Sequence, residues 1–281
     1  MVYLSLYNGM RIPGIGLGTW QIRDRSLLSE LLGEAYDVGY RLIDTAAAYS
    51  NEMGIARAME SNGLHRHEVV LSDKVWNTCR GYEEVQVACK NSLRKLKTDY
   101  LDIYLIHWPA SPRLHPDWET INGETWRGME KLLEQGLVRA IGVCNFKVHH
   151  LEALKKTYKV KPMINQIEFH PGVQNREIYD YCKAHEIVLQ ASSPLGNGEI
   201  LSNEGLMELA REKGKSVAQV ALRWEMQKGV AAIPKTANRN RLRENIDLFD
   251  FQLSDEEMKR IDKIPYCGGL GIDSDEVTEF G

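Results

Sequence analysis

Four residues in this sequence have types and positions suited to moving a proton: Asp44, Tyr49, Lys74 and His107. Arg41-Leu42-Ile43 ends in Asp44, Val69-Val70-Leu71-Ser72-Asp73 leads into Lys74, and Ile103-Tyr104-Leu105-Ile106 ends in His107. Tyr49 follows Asp44 by five positions. Singly, each has an ordinary structural role. A strand-end Asp caps a helix or anchors a loop, a Lys there snorkels to the surface, and a His before Trp108-Pro109 is a satisfied core residue. Together they place ionisable groups at the ends of three consecutive apolar runs, on one rim. A phenol with the ordinary pKa of about 10 is a poor acid at neutral pH, and a nearby ammonium lowers that value by favouring phenolate. Lys74 is placed to supply that field, Asp44 to keep Lys74 charged and oriented, and His107 to hydrogen-bond an oxygen on which charge develops. Such a set suits delivery of a proton to an oxyanion, as when hydride adds to a carbonyl carbon. No side chain supplies hydride, so the chemistry requires a cofactor.

The elements that position these residues alternate. After Ile15-Gly16-Leu17-Gly18, apolar runs recur at 41–43, 69–72, 102–106, 138–143, 163–167, 187–191 and 230–233, making eight. Between them lie amphipathic segments such as 26–38, 80–96 and 175–185. Ser216-x-x-Gln219 is a capping box opening a helix over 217–227, and with 206–213 before it the seventh crossover is doubled. Strands alternating with helices over 281 residues predict a closed (β/α)8 TIM barrel, with an open doubly wound sheet as the rival. Barrels carry their chemistry at the C-terminal ends of the strands, where Asp44, Lys74 and His107 fall. Asn8-Gly9 between 3–6 and 10–12 reads as a two-residue hairpin turn, so the chain opens with a small β-ribbon acting as a lid. The stretch 264–281, rich in Gly and Asp and without periodicity, is expected to fold over one mouth of the barrel. No interior linker or repeat divides the chain, so 1–281 reads as a single domain.

Composition narrows the function classes. A net charge of −4 without blocks of like charge argues against a nucleic-acid groove or a polybasic membrane tail. No run approaches the roughly 20 apolar residues of a membrane span, and the N-terminus does not resemble a signal peptide, so a cytoplasmic location is expected. Five cysteines without a Cys-x-x-Cys pair argue against a disulfide framework or zinc knuckle, and His65-x-His67 and His149-His150 lack acids at ligand spacing, so no metal is expected. Gly14-x-Gly16-x-x-Thr19 fails as a dinucleotide fingerprint: the third glycine is missing, and Asp44 lies beyond the usual spacing. For phosphate there remain Lys235-Thr236 with Arg239, Arg241 and Arg243, at the eighth run and the helix after it, where barrels commonly hold phosphate.

Several motifs occur in a fixed order: Tyr40-Arg41-Leu42-Ile43-Asp44-Thr45-Ala46 through Tyr49 and Asn51-Glu52, Leu105-Ile106-His107-Trp108-Pro109, and Gly142-Val143-x-Asn145-Phe146. Asn165-Gln166-x-Glu168-x-His170-Pro171, Ser193-Pro194-Leu195-Gly196 and Ile233-Pro234-Lys235 complete the set. From end to end the chain resembles the aldo-keto reductases, nicotinamide-dependent barrels that reduce aldehydes and ketones, and among them the short-tailed bacterial-type members. The resemblance implies a catalytic tetrad of Asp44, Tyr49, Lys74 and His107 with Tyr49 as proton donor, and NADPH as cofactor. It implies carboxamide contacts from Asn145 and Gln166, flanked by Cys144, and further cofactor contacts at Ser192 and Leu195. Lys235, Thr236 and Arg241 match positions that hold the 2′-phosphate, and Glu244 and Asn245 those near adenine. Trp20, Trp76 and Trp108 match an apolar substrate pocket, the tail matches a specificity loop, and a monomer acting on small-molecule carbonyls is implied.

Cys144 stands where members usually have Ser, a weaker hydrogen-bond partner for the carboxamide. Ser192 stands where many have a Tyr or Trp stacked on nicotinamide, a contact typically worth about 1 kcal/mol. Asn238 replaces a second phosphate-side arginine of some relatives. Two other classes stay open: a low-turnover NADPH-binding regulatory or structural barrel, and a phosphate-handling barrel using Lys74 as a Schiff base.

Overall fold

The apolar runs become strands because the amphipathic segments between them can cover only one side of a sheet, leaving the other side to bury itself by closure. The computed structural model describes residues 2–278; positions 279–281 of the tail lie outside the described residues. An antiparallel hairpin, β1 (Tyr3–Ser5) and β2 (Arg11–Pro13), precedes the parallel strands β3 (Leu17–Gly18), β4 (Leu42–Asp44), β5 (Val70–Val75) and β6 (Leu101–Ile106). Next come β7 (Val138–Cys144), β8 (Ile164–Glu168), β9 (Val188–Ser192) and β10 (Ala231–Ala232). Neighbours pair in chain order from β3 to β10, and parallel bridges Ile15↔Ala232 and Gly18↔Lys235 close the last strand onto the first. The expected barrel is therefore present; an open doubly wound sheet would reverse its strand order at a switch point.

Residues alternate between two cores along each strand. Ile103 and Leu105 of β6 point inward with Leu42, Ala140, Ile164 and Ile233, whereas Tyr104 and Ile106 pack outward with Leu71, Ile141 and the helices. Slipping one strand by one residue would exchange the two sets, at about 2 kcal/mol for each large apolar side chain misplaced. The closing seam depends on a residue without a side chain: a Cβ at Gly16 would sit 2.7 Å from Leu42 Cγ.

The N-terminal ribbon forms, but its turn differs from the two-residue expectation. Gly9 N–H donates to Leu6 O (2.9 Å) and Leu6 N–H to Met10 O (2.8 Å), with Gly9 at φ 87° and Asn8 outside the positive-φ set. This is a three-residue loop in which only Gly9 is left-handed, because a two-residue turn of the expected kind needs positive φ at both Asn8 and Gly9. Leu6 and Ile12 insert into the inner core, while Tyr7 Oη and Asn8 Nδ2 donate to Lys161 O and Arg139 O, near the starts of β8 and β7. The ribbon plugs the N-terminal end of the barrel and leaves the opposite mouth open.

Helices Arg25–Asp37, Tyr82–Leu96 and Arg176–Ala184 fall within a residue or two of their expected ranges. Glu204–Lys213 and Val217–Gln227 both lie between β9 and β10, the second opened by the Ser216–Gln219 capping box. Among the described residues, no helix is long and apolar enough to cross a membrane.

Candidate active site

Parallel pairing fixes the rim. Asp44 is in register with Gly18 and Ser72, and Lys74 with Leu105, so the ends of β4, β5 and β6 lie side by side. Lys74 Nζ donates to Asp44 Oδ2 (2.6 Å) and Thr45 O (2.9 Å), and its side chain is fully buried. Asp44 Oδ1 accepts from Ser72 Oγ (3.1 Å) and Gln166 Nε2 (3.0 Å), so both carboxylate oxygens are satisfied. Burial is the largest influence and works against the Lys74 charge, but Asp44, with smaller contributions from Tyr49 and Cys144, raises the lysine pKa overall. An ammonium held this way cannot leave without stranding a buried carboxylate.

Tyr49 closes a short 3-10 turn, Ala47–Tyr49, beyond β4, and its ring lies edge-on to His107 at a centroid distance of 5.8 Å. Lys74 Nζ is 5.3 Å from the Tyr49 ring centroid. From the motif alone, the ammonium is expected to bring the phenol pKa down. Burial dominates instead and pushes it up to about 12, with Lys74 pulling against it. Tyr49 is only half-buried, open to the cavity, so water there softens the push. In either case the phenol carries its proton at neutral pH. His107 is buried, and burial followed by the Lys74 charge holds its pKa well below the ordinary imidazole range, so it is neutral. Its Nδ1 is buried without a hydrogen-bond partner among the described residues. Trp76 and Trp108 pack against the same ring at 5.2 and 6.3 Å.

These groups open into one cavity of about 1070 Å³ at the C-terminal mouth. Trp20, Trp76 and Trp108 line one end, with Asp44, Tyr49 and His107 beside them. Lys74 sits behind Tyr49 and does not line the cavity. An arm runs past Cys144, Asn145, Gln166, Ser192 and Leu195 to Lys235, Thr236, Arg241, Glu244 and Asn245, so the expected cofactor positions are brought together. Asn145, held at φ 63°, donates from Nδ2 to His107 O (3.0 Å) and Cys144 Sγ (3.2 Å), and Cys144 Sγ reaches Gln166 Oε1 at 3.8 Å. Among the described residues lining the arm there is no aromatic ring, consistent with Ser192 at the stacking position.

At the far end the basic cluster expected to hold phosphate divides in two. Arg239 and Arg243 do not belong to the phosphate set: both pair with Glu34, at 2.8 and 2.5 Å, which turns them to the outer wall. Asn238 is the N-cap of helix Arg239–Ile246, its Oδ1 accepting from the N–H groups of Asn240 (2.9 Å) and Arg241 (3.3 Å). That is a physical reason for Asn at this position. Lys235 and Arg241 remain on the cavity side, beside a helix N-terminus whose partial positive charge favours an anion.

The tail lies at the mouth as expected, held by contacts that its own sequence does not signal. Leu270, Ile272 and Val277 of the tail also line the cavity, as do Asn197, Gly198, Leu201, Ser216 and Val217. The glycines at 196, 198, 268 and 269 were the only local hint, since periodicity is absent there. The tail is tied down by Ser111 Oγ to Asp275 O (2.8 Å), Asn77 Nδ2 to Thr278 O (3.0 Å), and Lys147 Nζ to Asp273 and to Asp275 Oδ2 (2.8 Å). His149 and His150 do meet an acid here, Asp275, brought from far along the chain. However, His150 Nδ1 accepts the Lys147 N–H (3.2 Å), which puts the ring proton on Nε2, and the Lys147 ammonium already occupies the carboxylate. The cluster is a clasp on the tail rather than a set of metal ligands.

Comparison with known proteins agrees with this geometry. The model of the aldo/keto reductase family matches residues 14–265. A glyoxal reductase of Bacillus subtilis is 45% identical over 274 residues, spanning 98% of this chain and 96% of its own. A 9,11-endoperoxide prostaglandin H2 reductase of Trypanosoma cruzi is 42% identical, spanning 99% and 96%. A mutant of Gox0644 solved in complex with NADPH superposes with a TM-score of 0.90 at 36% identity, over 99% of this chain and 98% of that one.

Proposed function

The chain belongs to the aldo/keto reductase family, and from that premise we propose that it is an NADPH-dependent reductase of neutral aldehydes and ketones with Tyr49 as the proton donor. The observation that carries the proposal is the Lys74 ammonium, pinned between Asp44 and Thr45 O directly behind a protonated phenol that faces the cavity.

NADPH fits the residues present. The cavity exceeds the roughly 300–1,000 Å³ of an ordinary ligand pocket, leaving room for a dinucleotide and a small substrate. The Asn145 and Gln166 amides suit a carboxamide, and Lys235, Thr236 and Arg241 at the helix N-terminus suit a phosphate. When bound, the cofactor supplies hydride to a carbonyl carbon.

The chain supplies the rest. Tyr49 and His107 flank the position for a carbonyl oxygen: neutral His107 donates a hydrogen bond as negative charge grows, and Tyr49 gives up its proton. Lys74 stabilises the tyrosinate left behind, and Asp44 keeps Lys74 charged and aimed. The three tryptophans, Leu270, Ile272 and Val277 exclude water and offer no cation among the described residues lining that end, which favours uncharged carbonyls. Small dicarbonyls of the glyoxal type, named for the Bacillus relative, are the first class to try. The same reading makes the protein a single-domain cytoplasmic monomer, eluting from a sizing column at the mass of one chain.

The test is NADPH consumption with a panel of aldehydes and dicarbonyls, for the wild type and Tyr49→Phe. The variant should bind NADPH within about twofold of wild type and lose at least about a thousandfold in turnover. Full activity of Tyr49→Phe would overturn the assignment. Tight NADPH binding without consumption by the wild type would favour the regulatory reading instead.

A further inference from the structure

Glu168, at the end of β8, is absent from the cavity wall, yet its carboxylate is more completely engaged than a rim residue needs. Oε1 accepts the N–H of Leu270 at 2.6 Å and Oε2 that of Gly271 at 3.4 Å. His170, fully buried behind it, donates from Nδ1 to Pro171 O (2.8 Å) and places Nε2 3.5 Å from Glu168 Oε1. The carboxylate is half-buried, facing two main-chain donors of a segment that has no secondary structure of its own.

That segment is shaped to meet it. Gly268, Gly269 and Gly271 have φ of 123°, 136° and 61°, conformations closed to most side chains. A Cβ at Gly269 would lie 2.6 Å from Glu168 Oε1 and 3.0 Å from His170 Nε2, and one at Gly268 would lie 2.4 Å from Glu199 Cβ. The glycines let the main chain come down onto the carboxylate, and Leu270 between them and Ile272 just after them then line the cavity.

We infer that Glu168 is a positioning residue for substrate specificity: by gripping the N–H groups of Leu270 and Gly271 it sets the apolar wall that Leu270 and Ile272 present to the substrate. The inference rests on reading the cavity as a carbonyl-reductase site. Beyond that reading, the shape of the substrate wall is assigned to a carboxylate that does not itself line the cavity. The clasp of Lys147 on Asp273 and Asp275 holds the next stretch of the tail separately, so releasing Glu168 frees the 268–272 segment without detaching Val277.

Two arms test it. In the first, hydrogen exchange of the free protein reads the amides of Leu270 and Gly271 in wild type, Glu168→Ala and Glu168→Gln. Exchange at both amides should accelerate by at least about tenfold in Glu168→Ala, while Glu168→Gln, which keeps a carbonyl acceptor, stays closer to wild type. Unchanged exchange in Glu168→Ala overturns the inference. In the second arm, KM and kcat are compared for a bulky aromatic aldehyde and for glyoxal. Glu168→Ala should raise KM for the aromatic aldehyde by about tenfold, leaving kcat, the glyoxal KM and the NADPH Kd within about twofold. A general loss of stability with equal effects on both substrates would mark a merely structural role and sink the idea. Gly269→Ala breaks the same grip from the tail side and should give the same KM split with Glu168 intact, which covers a failure of Glu168→Ala to fold. If the wild type consumes no NADPH with any carbonyl, the functional reading fails while the exchange arm still decides the grip.

Discussion

Replacing Asp44 by Asn keeps the shape of the side chain and removes one charge, at a position that is 4% exposed. The carboxylate accepts from Lys74 Nζ, Ser72 Oγ and Gln166 Nε2, all within 3.1 Å. An amide offers one acceptor oxygen, and its NH2 must then face either the ammonium or the Ser72 and Gln166 donors. With the NH2 toward the ammonium, Lys74 is left with Thr45 O as its one acceptor among the described residues. Stranding a buried charge in this way costs about 3–5 kcal/mol. A ceiling follows from the lysine itself: shedding its proton at neutral pH, against an ordinary value of 10.5, costs up to about 5 kcal/mol at about 1.4 kcal/mol per unit.

The pH dependence gives the test its sign. In the wild type the Lys74 pKa is raised, so its contribution to stability is fully present below 10.5 and is lost only as pH climbs past the folded value. In Asp44→Asn the folded-state pKa must fall below that of the unfolded chain, so the unfolded state binds the extra proton and stability rises with pH up to that point. Urea midpoints measured from about pH 7 to about pH 10 should show the gap between variant and wild type narrowing. Turnover should drop by about a hundredfold, because the Lys74 field on Tyr49 weakens with the lysine charge. A variant as stable as wild type, or a gap that stays constant with pH, would refute the account of the pair.

Arg241→Ala should weaken NADPH by about tenfold with little change for NADH, whereas Arg239→Ala, whose guanidinium sits on Glu34, should leave both Kd values nearly unchanged; fluorescence titration checks this. Ser192→Tyr should tighten NADPH by about fivefold, as expected for about 1 kcal/mol of restored stacking. Asn238→Ala removes an N-cap and should cost about 1 kcal/mol in urea melts. On the acid side, His107 is held well below the ordinary imidazole range and His150 is lowered to about 3, mainly by burial. Their unfolded forms take up protons first, so stability should fall as pH drops below about 6.5, and His150→Phe should flatten that slope.

Asp44, Lys74 and His107 were legible in the sequence because each comes at the end of an apolar run, and parallel pairing converts consecutive runs into neighbouring strand ends; Tyr49 follows from the short turn after the first of them. Asp44 and Lys74 needed only the alternation of strands and helices to be placed on one rim. What was not legible depends on distant partners. Arg239 and Arg243 look available for phosphate until Glu34, more than 200 positions away in sequence, is brought beside them. Asn8-Gly9 carried a true turn signal, but sequence does not say whether one or both residues take positive φ. The tail gave no periodicity because it makes no regular element; its position is set by Glu168, Ser111 and Lys147 acting on its main chain and acids. The net pKa of Tyr49 departs from expectation for a related reason: the Lys74 charge can be read from a motif, whereas the depth of burial cannot.

The seam of the barrel joins Ile15 to Ala232 and Gly18 to Lys235, so the ring is completed only by the last fifth of the chain. A nascent chain that has not yet released Lys235 from the ribosome holds an open fan with two raw edges, β3 and β9, each able to pair with another chain. Lys235 is both the bolt on that seam and a cation facing the cavity. A phosphate held there would grip the molecule where the two ends of the sheet meet, and would slow the opening of the ring that exposes it to proteases.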